Sequence, residues 1–386
     1  MAWMKARNSL ALRSRSSLPG VLIVTCSLLS FQIDTVRAAG EKAGWEAEWK
    51  KTVAAAEKEA QITIYAPPGK QYQDAITLFQ QYYPKIKLTY VPGSGTNNAQ
   101  RLMTERRAGK YLVDTFIGGS GTLIEVLYKG AVLEPIPPNL ILPENNDQSA
   151  WFEKKHQYAD ADNQYVLMMQ GSVQYDFGAY NTNMVNPAEF KSYWDILQPK
   201  WKGKMAAFDP RDRGHIQRMR ALYYNSNLGA EFLRRLFEEM DLTLARDQRQ
   251  LLDWVAGGKF PIYLFATSSD VEDGKKQGLP VGILYGQPKE GYLTGQFGHI
   301  ALVKQMPHTN AAKVFLNWVL SREGQIQWQK KTDNNSLRMD IPKDMLTDQR
   351  EIPKAGEKYL NASLPQYVDV KPVLKILEAA LAKTGK

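Results

Sequence analysis

Short apolar runs alternate with amphipathic stretches along the first part of the chain. The apolar runs predict buried strands, and stretches with apolar positions three or four residues apart predict helices. The predicted strands are Gln61–Ala66, Lys87–Val91 and Val113–Ile117, and the predicted helices are Glu41–Ala60, Tyr72–Tyr83, Asn98–Arg107 and Leu123–Lys129. Strand, loop and helix repeated at this spacing indicate an α/β fold with a mainly parallel sheet and helices on both faces.

Each of these strands ends in a loop rich in Gly, Ser or Pro. The loops are residues 67–70, 92–96 and 118–121. The carboxyl ends of parallel strands meet at one edge of a sheet, and ligands of open α/β sheets bind there. We therefore expect a binding site at this edge.

The same alternation continues as a second unit. Val166–Val173 and Phe177–Tyr180 are predicted strands that carry the chain between two lobes. Further strands are predicted at 199–208, 262–265, 281–284 and 298–303, and helices at 216–226, 229–240, 246–257, 270–276, 310–320, 322–331 and 372–383. The last helix is expected to dock on the first lobe or to bridge the lobes.

The first 38 residues have the order of a secretory signal peptide. Basic residues come first, the apolar run Val21–Leu29 follows, and Val36-Arg37-Ala38 offers a cleavage point after Ala38. The apolar run is too short to span a bilayer. An uncleaved anchor and a lipoprotein attached at Cys26 fit this pattern less well. We expect residues 1–38 to be removed and the mature protein to be periplasmic.

Charge and cysteine content narrow the class of protein. The chain has 49 basic residues (Lys and Arg) and 40 acidic residues (Asp and Glu). Residues 1–38 contain five of the basic residues and one of the acidic residues, so the mature protein keeps 44 and 39 and has a net charge of +5. This excess does not call for a nucleic-acid partner. The only cysteine leaves with the signal peptide, so thiolate metal sites and a cysteine nucleophile are ruled out. The remaining 348 residues favour two domains.

Several segments, taken in order, resemble bacterial family 1 extracellular solute-binding proteins, in the branch that includes ferric-ion-binding proteins. They are Ile62–Tyr65, Ala108–Asp114, Lys129–Pro135, Pro199–Lys204 and Ala311–Gln325. The resemblance implies a two-lobed type II periplasmic-binding-protein fold with a hinge, lobe I being 40–170 plus 290–386 and lobe II 171–289. It also implies a monomer that captures a small molecule and delivers it to an inner-membrane ABC permease.

The iron ligands of that branch do not carry over to this chain. The resemblance implies a tyrosine pair after the strand at 262–265, a histidine in the first loop and a carboxylate after the third strand. This sequence has Ala266-Thr267-Ser268-Ser269, Pro67-Pro68-Gly69-Lys70 and Gly118-Gly119-Ser120 there. Tyr223-Tyr224 lies on a predicted helix and is interpreted as a packing pair. We therefore expect no bound metal, and a ferric-ion-binding protein is the alternative.

The loops instead offer hydroxyls, backbone amides and cations, which suit a small organic anion such as a phosphonate, a phosphate ester or a carboxylate. Helix capping is the competing explanation for each single Ser or Thr. For Arg211 and Arg213 the competing explanation is a surface salt-bridge cluster, and for Tyr175 it is packing. The candidate ligand-binding residues are Gly69, Lys70, Ser94, Thr96, Gly119, Ser120, Tyr175, Arg211, Arg213, Ser268 and Ser269.

Enzymes are the rival class. The sequence has no GxSxG, HExxH, Walker or strand-linked GxGxxG motif, and its four histidines are scattered. We therefore expect neither catalysis nor a cofactor. A sensor or an adhesin on the same fold remains an alternative, because a fold alone does not fix a function.

Overall fold

The computed structural model describes residues 44–211 and 215–385, apart from the side chain of Ser269. The predicted signal peptide at 1–38 and the candidate Arg213 lie outside the described residues. Residues Trp49–Lys386 form one compact unit. No helix among the described residues is long and apolar enough to cross a membrane.

Helices and strands alternate through most of this unit, as the sequence predicts. The strands are β1 Gln61–Ala66, β2 Lys87–Pro92, β3 Thr115–Gly118, β4 Leu133–Glu134, β5 Leu167–Met168, β6 Ser172–Gln174, β7 Asp176–Asn181, β8 Met205–Phe208, β9 Thr243–Ala245, β10 Ile262–Leu264, β11 Val281–Tyr285, β12 Tyr292–Thr294, β13 His299–Val303 and β14 Leu360–Asn361. The helices are α1 (44–59), α2 Lys70–Thr77, α3 Phe79–Tyr82, α4 Gly95–Arg107, α5 Ser120–Thr122, α6 Pro143–Asn146, α7 Ile216–Tyr224, α8 Gly229–Glu239, α9 Gln248–Ala256, α10 Ser268–Lys276, α11 Thr309–Leu320, α12 Arg322–Thr332 and α13 Lys371–Lys383. A π-helical turn, Leu123–Tyr128, continues α5.

The first sheet has the strand order β2-β1-β3-β13-β4, with β5 also paired to β13. The pairs β1–β2 and β1–β3 are parallel, whereas β13 runs antiparallel to β3. Ile62 and Ile64 on one face of β1 join a core with α2 and α11, and Tyr65 on the other face joins a core with α4. This alternation follows from the two-residue period of a strand, and it buries both faces of the sheet.

The second sheet has the strand order β11-β7-β10-β8-β9. Strands β8, β9 and β10 are parallel, and β7 runs antiparallel to both β10 and β11. Phe177 and Leu264 face a core with α7 and α8, while Ala179 and Tyr263 face a core with α9. These two larger sheets each have their own apolar layers, and the predicted two-lobed α/β architecture is confirmed.

A small third sheet, in the order β14-β12-β6, joins the two lobes. Strand β6 comes between β5 of the first sheet and β7 of the second, and β12 comes between β11 and β13, so both crossings pass through it. Tyr292 of β12 pairs with Gln174 of β6. A Cβ on Gly291 would lie 2.3 Å from the carbonyl oxygen of Gln174, so this close approach requires glycine. We call the third sheet the hinge region.

The C-terminal helix differs from the expectation. Val373, Leu377 and Leu381 of α13 belong to the core cluster that contains α7 and α8. The helix therefore packs on the side of the second sheet, and the expectation that it docks on the first lobe was wrong. Apolar spacing predicts that such a helix is buried but does not specify which surface it covers. The predicted residue bounds of the two lobes stay a prediction.

Candidate ligand-binding cleft

The carboxyl ends of both sheets open onto two adjoining cavities beside the hinge strand β12. One cavity, of about 390 Å³, is lined by the loop after β3 and by Arg220 of α7; we call it the Arg220 cavity. The other, of about 560 Å³, is lined by Arg218 of α7, by Asp176 of β7 and by the loop after β10; we call it the Arg218 cavity. Both share Gln217, Tyr292 and Gln296. Together they form the cleft.

Helix α7 places two arginines in the cleft because its other face is apolar. Ile216, Met219 and Leu222 are buried in the second core, whereas Gln217, Arg218 and Arg220 line the cleft. Residues two apart on a helix point about 160° from each other around its axis when each turns by 100°. Arg218 and Arg220 therefore reach different cavities from one helix.

Arg218 forms a buried ion pair with Asp176. Its Nη2 lies 2.9 Å from Asp176 Oδ2 and also donates to the carbonyl oxygen of the same residue. The two side chains are 14% and 4% exposed. Burial opposes the charge on Arg218, but the charge of Asp176, the neighbouring tyrosines and the hydrogen bond to Asp176 together outweigh burial and raise the pKa of the guanidinium. Much of the charge of Arg218 is thus balanced inside the protein.

Arg220 has no such carboxylate partner among the described residues. Its Nη2 donates to the carbonyl oxygen of Ala362 over 2.8 Å, and its buried Nε has no partner in the described part of the chain. Burial lowers the pKa of Arg220 because water no longer solvates the guanidinium. A guanidinium stays charged at neutral pH nonetheless. The Arg220 cavity therefore holds a cation with unused donor capacity.

A carboxyl group with unusual protonation lies in the Arg218 cavity. Burial, followed by the charges of Asp176 and Asp348, raises the pKa of Glu351 to about 7. Its side chain accepts no hydrogen bond from any residue that the structure describes. The backbone N–H of Val173 donates to the carbonyl oxygen of Glu351 over 2.7 Å, which attaches this segment to the hinge. Glu351 is thus a second polar group with free capacity.

Tyr292 separates the two cavities. Its hydroxyl donates to Gln174 Oε1 over 2.5 Å, across the pairing of β12 with β6. Burial raises the pKa of Tyr292 to about 12, so that the hydroxyl stays protonated. The aromatic ring is consequently fixed at the point where the lobes meet.

The loop after β10 closes the far side of the Arg218 cavity. Thr267 caps α10, its hydroxyl accepting from the backbone N–H of Asp270 over 3.3 Å. His215 stacks on Phe208 with ring centroids 4.0 Å apart, and its Nε2 lies 3.2 Å from Gln248 Nε2. These contacts hold donors and acceptors around the cavity.

Three of the predicted ligand-binding residues line the cleft. Gly119 and Ser120 line the Arg220 cavity, and Ser268 lines the Arg218 cavity. The Oγ of Ser120 lies 3.1 Å from the Oγ of Ser363. The backbone of Ser269 continues α10 beside Ser268. Their role as ligand contacts stays a prediction.

The other predicted residues that the structure describes line neither cavity. Arg211 pairs with Asp209 through two nitrogens, each 2.8 Å from an oxygen, beside a separate cavity. Lys70 pairs with Asp74 at 2.7 Å on the surface, and Gly69 precedes it with φ +128°. Tyr175 packs on Tyr285, and its hydroxyl donates to Arg350 O. Ser94 caps α4, where its Oγ accepts from Asn97 N, and Thr96 is exposed in the first turn.

Sequence reasoning missed the residues that dominate the cleft: Gln217, Arg218, Arg220, Gln248, Gln296 and Glu351. One signal was present, since Arg218 and Arg220 lie in the helix that begins at Ile216, shortly after the candidate Arg211. Neither Gln248 nor Glu351 is marked by any local pattern.

The described residues contain no group of three or more His, Cys, Asp or Glu side chains arranged to hold a metal ion. Tyr223 and Tyr224 make an edge-to-face contact with ring centroids 4.9 Å apart, and Tyr224 packs on Tyr367. The hydroxyl of Tyr224 donates to the carbonyl oxygen of Asp369 over 3.1 Å. This pair therefore packs within the protein, as interpreted from the sequence.

The sequence profile described as "Bacterial extracellular solute-binding protein" matches residues 65–326. The chain belongs to this family. Family members are solute-binding proteins of ABC transporters, which agrees with a cleft between two lobes. No curated protein sequence matches the chain.

Solved structures of two-lobed binding proteins have the same fold. Iron-bound HitA from Pseudomonas aeruginosa aligns with a TM-score of 0.55 at 17% identity, over 83% of this chain and 99% of that one. AfuA from Actinobacillus pleuropneumoniae, with fructose-6-phosphate bound, aligns with a TM-score of 0.52 at 16% identity, over 84% of this chain and 99% of that one. The spermidine/putrescine protein PotD from Streptococcus pneumoniae aligns with 0.55 at 14%, over 83% and 99%. At these identities the likeness shows the fold, and the predicted type II binding-protein fold is confirmed.

Proposed function

We propose that this protein is the periplasmic receptor of an ABC importer and that it captures a small organic anion in the cleft. The anionic group binds in the Arg220 cavity, between the guanidinium of Arg220 and the loop of Gly119 and Ser120. Closure of the two lobes about the third sheet buries the solute, and the permease recognises the closed form.

The single observation that carries the ligand class is the unpaired state of Arg220 among the described residues. A buried charge is unfavourable unless it is paired and hydrogen-bonded. Arg218, two residues away, has a carboxylate partner, whereas Arg220 has a single carbonyl acceptor. An anion supplied from solution would complete the hydrogen bonding of Arg220 through charge-assisted bonds.

The surroundings support an organic solute. Besides its charged side chains, the cleft is lined by amides, hydroxyls and two aromatic rings, Phe265 and Tyr292, which suit a molecule with hydrogen-bonding groups and a carbon skeleton. Among structures of the same fold, AfuA holds a phosphate ester of a sugar.

The assignment of residues to lobes and compartment is part of the same proposal. Lobe I comprises 40–170 plus 290–386 and lobe II comprises 171–289, in line with the strands found in each sheet. The helix at Lys371–Lys383, which packs on the side of lobe II, links the end of the chain to the other lobe. The proposal also includes removal of residues 1–38 and a mature protein that is monomeric and periplasmic.

Thermal unfolding of the mature protein against a ligand panel tests the proposal. The panel contains phosphate esters, phosphonates, carboxylates, polyamines, sugars and Fe(III) with citrate. A solute that binds only the native state raises the unfolding midpoint in proportion to the logarithm of its concentration. We expect the shift with anions, its loss in Arg220→Gln and its retention in Arg211→Gln. A shift with iron alone, accompanied by a phenolate absorption band, would establish the ferric alternative.

A further inference from the structure

The cleft contains two oppositely charged groups that lack partners among the described residues. Arg220 presents its guanidinium to the 390 Å³ cavity, and Glu351 presents its carboxyl group to the 560 Å³ cavity. The two cavities meet at Gln217, Tyr292 and Gln296. From this arrangement we infer that the solute is a zwitterion: its anionic group pairs with Arg220, and a primary ammonium group at its other end pairs with Glu351. The inference rests on the proposed function and specifies its ligand.

The other charges in the cleft are already balanced. Arg218 pairs with Asp176 at 2.9 Å. Glu125, which lines the Arg220 cavity, pairs with Lys129 at 2.6 Å. The remaining charged neighbours of Glu351 are Asp348 and Arg350, which pair with each other at 2.7 Å. Glu351 is therefore the acid of the Arg218 cavity that remains to be neutralised, by a proton or by a cation.

The protonation of Glu351 agrees with this role. Burial and the charges of Asp176 and Asp348 raise its pKa to about 7, while Arg350 and Arg218 oppose the rise. An ammonium group beside the carboxyl group would favour its ionised form and lower this pKa again. A plain anion in the neighbouring cavity would raise it further. Zwitterion and plain anion therefore shift the proton in opposite directions.

The amides around the same cavity suit a primary ammonium group. Gln174 Oε1 already accepts from Tyr292, and Gln248 lies against His215. An ammonium group has three donors and no acceptor. The Glu351 carboxylate and neighbouring amide oxygens supply acceptors for the ammonium group. Tyr292 separates this part of the cleft from Arg220.

Isothermal titration calorimetry with matched pairs of probes tests the inference. The pairs are 2-aminoethyl phosphate against ethyl phosphate, and β-alanine against propionate; glycerol phosphate is included as a hydroxylated anion. We expect each amine to bind about tenfold or more tightly than its partner, the size of one charge-assisted hydrogen bond. Repeating the titrations at pH 7 in buffers of different ionisation enthalpy measures the protons exchanged.

At pH 7 we expect each amine to release up to about half a proton and each plain anion to take up protons, because a group at its pKa is half protonated and the two kinds of ligand shift this pKa in opposite directions. In Glu351→Gln the advantage of the amines and the difference in proton release both vanish, whereas Glu357→Gln, an exposed position outside the cleft, keeps them.

The outcomes separate this inference from the proposed function. Plain anions or glycerol phosphate that bind as tightly as the amines, through Arg220, would overturn the zwitterion and leave the anion receptor standing. Amines that retain their advantage in Glu351→Gln would overturn the assignment of Glu351. Binding that Arg220→Gln does not weaken, or no binding of any probe, would contradict both.

Discussion

Removing one partner of the buried pair of Arg218 and Asp176 should strongly destabilise the second lobe. Replacing Arg218 by Met keeps much of the apolar length of the side chain but leaves the carboxylate of Asp176, 4% exposed, without its cation. Removing one partner of a buried ion pair destabilises a protein by about 3–5 kcal/mol. Since the free energy of unfolding of a protein is about 5–15 kcal/mol, this loss is a large fraction of the total stability.

A double variant separates the lost pair from the lost packing. In Arg218→Met with Asp176→Asn neither charge remains buried, so the double variant should be more stable than Arg218→Met alone. Urea unfolding followed by both tryptophan fluorescence and circular dichroism gives the free energies and shows whether the lobes unfold together. A loss under about 1 kcal/mol in the single variant, typical of surface pairs, would refute the reasoning. A double variant less stable than the single one would refute it as well.

Three further predictions concern the hinge side of the cleft and the second lobe. Gly178→Ala should prevent the pairing of β7 with β10, because φ of Gly178 is +155° and a Cβ would lie 2.2 Å from the carbonyl oxygen of Tyr263. Thermal melting followed by circular dichroism should then show a cooperative transition that is lost or shifted to lower temperature. In the control Gly121→Ala, where a Cβ would meet no atom within 4 Å, the transition should be normal. Leu377→Ala should cost about 2–5 kcal/mol of unfolding free energy in urea, since the side chain is fully buried in the second core, and a loss near zero would place α13 outside it. The raised pKa of Glu351, about 7 against an ordinary 4.5, means that the native state binds more protons than the unfolded state between these values, so stability falls as pH rises through this window. Glu351→Gln should therefore raise the melting midpoint at pH 8 more than at pH 5, and equal effects at both would contradict the raised pKa.

The fold was predictable from the sequence because its signals are local. The apolar run Gln61–Ala66 and the turn after it need no knowledge of the rest of the chain to indicate a strand and its end. The loop at Gly119 and Ser120 follows from the same rule, since ligands bind at the carboxyl edge of such sheets. The side on which α13 packs was not predictable, because several apolar surfaces compete for one amphipathic helix.

The charged residues of the cleft were harder to predict, because their roles depend on partners distant in sequence. Arg211 looked available, but Asp209, two residues earlier, holds it in place. Arg220 looked like an outward-facing residue of a helix, but the segment at Ala362 covers it and its cavity opens beside β12. Glu351 has an unremarkable sequence context, and only the fold brings it near Asp176.

A crystal structure of the mature protein with a bound anion from the panel would test the central claim most directly. The account predicts that the anionic group lies within about 3 Å of the Arg220 guanidinium, a normal length for a charge-assisted hydrogen bond, with the two lobes closed over it. An anion seated at Arg211, or a solute in the cleft that leaves Arg220 unpaired, would contradict it.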